Sequence, residues 1–398
     1  MINPSAHGWI DKFFSKYYLL ESPYLIDSKD FYCRTRATGF IYGHVISIDS
    51  SEPLLIEGWT SEEISKVALL NSLFGIYQLT AKNQDKVEFS KMVLKFYNTI
   101  NPQGFSLLKK ILPNESDSIK LEKIINERVQ TNDNMVSKNF SHIVTNALLF
   151  IDVLAFQNFL INNELSKNYI QKTEEIILGI VSLALTTKSN KTLYDDLLIK
   201  LFETSVRYTK FSGTKIDSLD KLPLEILQTN LEKYYIMDLA AMAIWNDSEM
   251  EKKEAEFLHE LGYTLQLEKS YIVECISAIN QFINKYKADI PYFNYSNPIK
   301  HFYDQSTQNV VNLITRNKKR LQKELAESKE LVVLLATSTQ RELDSQEKKK
   351  MKKQLLDVCK TIPSLTIFLL PGGSLLLPIL IKFIPQILPS SFNENLDN

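Results

Sequence analysis

Apolar residues recur every three or four positions through most of the chain, which is the spacing of residues on one buried face of an α-helix. The segment from Thr60 to Ala81 shows this spacing most clearly. Thr60 is a preferred N-cap residue and Glu63 stands three positions later, so the two side chains predict a capping box. The pattern as a whole predicts an all-α fold, a multi-helix bundle.

The same spacing predicts further helices at residues 11–20, 86–99, 117–129, 135–161, 168–186 and 192–208, and a central three-helix module at 231–244, 251–261 and 269–283. Residues 40–48 are rich in β-branched and aromatic residues, and they fit either a short strand or a buried helical turn. Residues 297–329 predict one long amphipathic helix with a solvated basic face. The inward residues would be Phe302, Val310, Leu313, Ile314, Leu321 and Leu325, and the outward residues would be Arg316, Lys318, Lys319, Arg320 and Lys323.

Composition supports the helical prediction, because 11 Gly and 13 Pro among 398 residues leave little turn material for a many-stranded sheet. The formal net charge is -1, so no global field attracts a phosphate backbone, and we expect no DNA binding. The three cysteines, Cys33, Cys275 and Cys359, lie far apart and predict neither a disulfide framework nor a zinc site.

The sequence contains no glycine-rich phosphate loop, zinc-protease helix or nucleophile elbow, so we expect a protein without enzymatic activity. The N-terminus lacks a basic stretch followed by an apolar one, so we expect no secretory signal and a cytoplasmic location. A polar break at residues 211–220 predicts a domain boundary. The predicted units are an N-terminal helical domain at 1–210, the central module at 221–290 and a C-terminal unit at 297–398.

An acidic turn separates the first two helices of the central module. It contains Asp247, Glu249, Glu251 and Glu254, and this turn with its flanking helices resembles the tellurite-resistance protein B-like domains. Carboxylates at this spacing could bind Ca²⁺ or Mg²⁺, the one cofactor class that the sequence suggests. The alternative is purely structural, because Ser248 and Glu251 also have the spacing of a capping box. Both interpretations stay open.

After residue 362 the chain becomes strongly apolar and is punctuated by five of its 13 prolines. Residues 364–381 carry no charge, and their length reaches the lower limit of roughly 18 residues for a membrane-spanning helix. Pro371, Gly372 and Gly373 would break such a helix. The segment is therefore open to three interpretations: a kinked hairpin packed on the helical body, a peripheral or re-entrant membrane anchor, or a true span.

The basic stretch 346–353, the spaced prolines and Leu-Pro-Ser-Ser-Phe at 388–392 together resemble the signature of the leucine-zipper and EF-hand transmembrane (LETM) family. The positions of that motif in this sequence are Pro363, Pro371, Ser374, Pro378, Lys382, Pro385, Leu388, Pro389 and Phe392. Ser374 stands where members of that family carry an acidic residue tied to cation transport, so we expect no direct ion exchange by this chain. The chain ends six residues after Phe392, and we expect the family's ribosome-binding, coiled-coil and EF-hand parts to be missing.

The two resemblances imply a bacterial LETM-related, biofilm-associated protein that acts as a non-enzymatic adaptor in cation homeostasis. The implied partners are another protein or the ribosome. The membrane surface would be contacted through residues 341–392, which would place the protein at the periphery of the inner membrane. The alternative is a soluble cytoplasmic helical scaffold whose apolar tail is part of the core.

Overall fold

The computed structural model describes residues 2–17, 27–50, 52–100, 115–129, 148–166, 168–188, 218–245, 250–287, 310–341, 343–362, 365, 380, 381, 383 and 384. Over these ranges all regular secondary structure is helical, which confirms the predicted all-α class. Residues 40–48, left open between strand and turn, hold a short 3₁₀ turn at Phe40–Tyr42. The predicted helix at 192–208 and most of the predicted boundary at 211–220 lie outside the described residues.

The helices are α1 (Trp9–Tyr17), α2 (Ser28–Ala37), α3 (Ser61–Ala81), α4 (Lys86–Ile100), α5 (Asp117–Val129), α6 (Phe150–Asn162), α7 (Tyr169–Thr187), α8 (Asn230–Ile244), α9 (Lys252–Thr264), α10 (Lys269–Tyr286), α11 (Lys318–Glu327), α12 (Lys329–Gln340) and α13 (Ser345–Thr361). Most helices up to residue 287 lie where the spacing predicts them, whereas α2 and α12 were not predicted, and residues 135–147 of the predicted helix 135–161 lie outside the described residues. Residues 310–316 form a further helical stretch.

Capping boxes fix the start of several helices. At α3, Thr60 Oγ1 accepts the backbone N–H of Glu63 at 3.2 Å, and Glu63 Oε2 accepts that of Thr60 at 2.9 Å, as predicted. Thr229 and Glu232 repeat the arrangement at α8. Each box satisfies backbone donors that the first turn of a helix leaves unpaired.

A first hydrophobic cluster extends from Ile2 to Ile283 and contains the apolar faces of α1 to α10. Within it α3 packs on α5 and α6, while α8 packs on α2, α7 and α10. The three helices of the predicted central module share this core with the N-terminal helices. We call the described residues 2–287 the N-terminal body; its division into domains at 210 and 221 stays a prediction.

The described residues from 310 onward form a second hydrophobic cluster, the C-terminal body. The predicted single helix over 297–329 is wrong, because the helical path is interrupted at Asn317 and again at Ser328, where ψ is 74°. The apolar positions continue on both sides of the second break. Leu321 and Leu325 before Ser328 and Leu331 and Leu335 after it are all buried in this cluster.

The apolar tail contributes to the same cluster. Ile362, Leu365, Leu380 and Ile384 are fully buried there, and Ile381 and Phe383 pack against it from the surface. Among the described residues no helix is long and apolar enough to cross a membrane.

A buried polar network joins α2, α8 and α10. The carboxylate of Asp238 accepts the hydroxyl of Tyr32 at 2.6 Å and the thiol of Cys275 at 2.7 Å. Arg36 lies 3.6 Å from Asp238 and donates to Glu274 on α10 at 2.9 Å. Burial raises the pKa of Asp238, and the guanidinium of Arg36 opposes that rise only in part. The network therefore fixes how the central module sits on α2.

We predict that Asp238→Ala lowers the free energy of unfolding by about 3–5 kcal/mol, because Arg36 loses a buried partner and Tyr32 loses its acceptor. Urea denaturation measures the change. Glu256→Ala is the control, since Glu256 forms an ion pair with Lys252 in which both side chains are exposed, and it should change the same quantity by less than about 1 kcal/mol. Equal losses in the two variants would contradict this account of the network.

Candidate functional site

The acidic turn of the central module is described only in part. Asp247 and Glu249 lie outside the described residues, while Glu251 is the N-cap of α9 and Glu254 stands in its first turn. The carboxylate of Glu254 is buried and accepts the backbone N–H of Glu251 at 2.8 Å. Ser248, the first residue of the predicted capping box, lies outside the described residues, and the box at the start of α9 is formed by Glu251 and Glu254.

This capping role weakens the argument for Glu254 as a metal ligand, because one of its oxygens is already committed to the helix start. Among the described residues, no group of three or more His, Cys, Asp and Glu side chains is arranged to hold a metal ion. The proposed Ca²⁺ or Mg²⁺ site of Asp247, Glu249, Glu251 and Glu254 remains a prediction, with Asp247 and Glu249 as the ligands to test.

The family-motif positions of the tail all lie outside the described residues. They are Pro363, Pro371, Ser374, Pro378, Lys382, Pro385, Leu388, Pro389 and Phe392. What the structure places is the basic helix that precedes them, together with Leu365, Leu380 and Ile384 between them.

That basic helix, α13, has two distinct faces. Asp344 caps its start by accepting the backbone N–H groups of Gln346 and Glu347 at 2.7 and 2.8 Å. One face is buried against the C-terminal body through Met351, Leu355, Val358 and Cys359. Burial raises the pKa of the Cys359 thiol to about 12, so this cysteine is neutral and unreactive at physiological pH. The helix is thus held in place by an apolar stripe.

A group of exposed lysines lies on the surface of α13. We define the lysine face as Lys348, Lys349, Lys352 and Lys353, all of which are exposed. They stand at positions i, i+1, i+4 and i+5, so they form one patch over two helical turns. Four cations within two turns create a local positive potential, although the chain as a whole is nearly neutral.

Nearby carboxylates are engaged with other partners. Glu347 accepts two hydrogen bonds from Arg341 at 2.7 and 2.8 Å, which lower the pKa of Glu347 to about 2. Glu330 forms an ion pair with Lys350, and that contact lowers its pKa. Asp357 pairs with Lys360 at 2.6 Å. All three carboxylates are ionised at neutral pH, and Asp357, which pairs with Lys360, also interacts electrostatically with Lys353 of the lysine face.

α11 adds a second basic surface. Lys318, Lys319, Arg320 and Lys323 are exposed as predicted, while Leu321 and Leu325 are buried. Residues 310–362 contain thirteen Lys and Arg against seven Asp and Glu. Arg316 departs from the prediction of an outward basic stripe, because it reaches the N-terminal body and pairs with Glu63. Helical spacing alone gives no signal for this inward contact.

Residues 343–398 match the protein-family model described as LETM1-like, RBD. This region of the chain is therefore LETM1-like, as the proline pattern indicated. RBD here denotes a ribosome-binding domain. The sequence alone led us to expect that this domain is missing. The match revises that expectation, because the matched residues 343–398 include α13 and the apolar tail. Comparison with curated proteins gave no match for the chain, and neither did comparison with solved structures.

If the acidic turn binds a divalent cation, millimolar Ca²⁺ or Mg²⁺ should raise the melting temperature, because a ligand that binds only the folded state stabilises it by mass action. Replacing Asp247 and Glu249 together by alanine should abolish the rise while leaving the capping box of α9 intact. Glu256→Ala, an exposed carboxylate on α9, is the control and should retain the rise. If neither cation changes the melting temperature of the unsubstituted protein, the turn binds no metal and helix capping is its whole role.

Proposed function

We propose that the C-terminal body is the ribosome-binding module of a non-enzymatic, LETM1-like adaptor, and that its lysine face contacts the phosphates of ribosomal RNA. The observation that carries the proposal is the coincidence of the family match at 343–398 with the exposed lysines of α13. The wider setting in cation homeostasis and biofilm-linked physiology belongs to the same proposal and is supported only by sequence resemblance.

The electrostatics of the lysine face suit a polyanion. Exposed lysines on a rigid helix can each neutralise a phosphate and release a condensed counterion, which gives affinity without sequence specificity. The buried stripe of Met351, Leu355 and Val358 holds α13 in place, so little ordering of the helix is needed on binding. A ribosome presents phosphates at high density, and contact with them requires no side chains that read base edges.

A second candidate is the scaffold whose apolar tail is part of the core. It is favoured by Leu365, Leu380 and Ile384, which are fully buried in the C-terminal body. Complete burial of such side chains contributes roughly 1.5–3 kcal/mol each, so inserting the tail into a membrane would first have to remove it from that core. The two candidates are compatible, because the lysine face stays exposed while the tail is packed.

We predict that replacing Lys349, Lys352 and Lys353 together by glutamine weakens binding to purified ribosomes about tenfold or more at moderate salt. The slope of log affinity against log salt should also shrink by about 2–3, since each lost phosphate contact removes roughly 0.7–0.9. Co-sedimentation over a salt series measures both quantities. The matched control replaces Lys252, Lys253 and Lys269, which are exposed on the central module. Equal losses in the two triple variants, or no binding by the unsubstituted protein, would overturn the proposal.

For the tail we predict that Leu365→Ala and Leu380→Ala each lower the free energy of unfolding by about 2–5 kcal/mol in the absence of lipid, because each truncation leaves a cavity in the C-terminal body. Val333→Ala is the control, since Val333 is 56% exposed and its truncation removes little packing. If the tail is instead a membrane anchor, the two leucine variants would keep their stability without lipid and lose flotation with vesicles.

A further inference from the structure

One arginine of the C-terminal body is bound inside the N-terminal body. Arg316 ends the helical stretch 310–316, and the basic residues that follow it, Lys318 to Arg320, are exposed. The side chain of Arg316 is only 23% exposed. Its side chain does not lie with the exposed basic residues of α11. It lies in a polar pocket beside the start of α3.

All four terminal N–H groups of the guanidinium have an acceptor. Nη1 donates to Glu63 Oε2 at 2.5 Å and to the carbonyl oxygen of Gly58 at 3.2 Å. Nη2 donates to Glu63 Oε1 at 3.2 Å and to Asn3 Oδ1 at 3.2 Å. The carboxylate therefore meets the guanidinium by two parallel bonds, the arrangement that gives arginine its geometric specificity.

The pocket is held together by residues of the N-terminal body. Glu63 is 1% exposed, and its two oxygens also accept the backbone N–H of Thr60 and the hydroxyl of Ser5, at 2.9 and 2.7 Å. Asn3 Oδ1 accepts the backbone N–H of Ser5 at 3.1 Å. Gly58 adopts a left-handed φ of 78°, a conformation that glycine takes without strain. The acceptors are thus positioned without any contribution from Arg316.

We propose that Asn3, Gly58 and Glu63 form a guanidinium-binding site of the N-terminal body, which Arg316 occupies within the same chain. The ligand class follows from the acceptor set. Four acceptors disposed around a planar fork match a guanidinium, whereas a lysine ammonium has three donors and cannot form the parallel pair. An empty site would leave the buried carboxylate of Glu63 without a cation, which is unfavourable. The site is therefore also a joint between the two hydrophobic clusters.

Chemical rescue tests this site independently of any ribosome binding. Arg316→Ala in the full chain should lower the melting temperature, and millimolar guanidinium chloride should restore at least half of the loss by filling the vacated site. Such concentrations are far below the molar range in which guanidinium denatures proteins. Sodium chloride at equal ionic strength should restore nothing. Amide exchange of the peptide covering residues 58–63 should rise in the variant and fall again with guanidinium.

Two variants separate the site from general charge pairing. Adding Glu63→Gln to Arg316→Ala should abolish the rescue, because the neutral amide no longer attracts the cation. Lys319→Ala, which removes an exposed charge three residues away, should leave the melting temperature unchanged. If Arg316→Ala does not fold, Arg316→Lys serves in its place and should show the same rescue in smaller degree.

The proposal is overturned if guanidinium fails to protect residues 58–63 in the variant that folds. It is also overturned if Arg316→Lys is as stable as the unsubstituted protein, because a plain positive charge would then suffice.

Discussion

A buried carboxylate needs a cation or several hydrogen-bond donors, since leaving it unpaired costs several kcal/mol, and this constraint determines which distant segments of the chain meet. Asp238 brings α2 to α8 and α10 through Tyr32 and Cys275. Asp152 on α6 is paired with Arg128 on α5. Glu122 on α5 accepts the backbone N–H groups of Gly8 and Ile10 at the start of α1. Each carboxylate joins two or more elements and fixes their relative position more closely than non-directional hydrophobic packing does.

The same constraint explains why the two bodies meet where they do. Apolar faces attract without direction, so a helix can rotate or shift against its neighbour at small cost in buried area. A carboxylate held in one body and a guanidinium held in the other pair in only one relative position of the two bodies. Glu63 serves two purposes in this way, because it caps α3 and receives Arg316. The residue that caps the start of α3 therefore also forms the contact that orients the C-terminal body.

Features that depend on residues three or four positions apart could be predicted from the sequence. The helix of residues 60–81, its capping box and the inward leucines of α11 all follow from intervals of three and four residues. The break at Ser328 did not follow from this spacing, and the leucines on both sides of it are buried in one cluster. Nor did the inward course of Arg316, since its partner Glu63 lies 253 residues away. Contacts at that separation leave no periodic signal in one sequence.

The small net charge conceals an uneven distribution of charge along the chain. The chain as a whole is almost neutral, but its basic and acidic residues are unevenly divided. Residues 310–362 hold thirteen basic and seven acidic side chains, so the rest of the chain holds 33 basic and 40 acidic ones. Screening at physiological salt limits the reach of a surface charge to about 8 Å, so a polyanion near α13 responds to the local excess rather than to the sum. Local pairing matters in the same way where the two bodies meet, because Arg316 contributes one of these basic side chains to an ion pair with Glu63 of the N-terminal body.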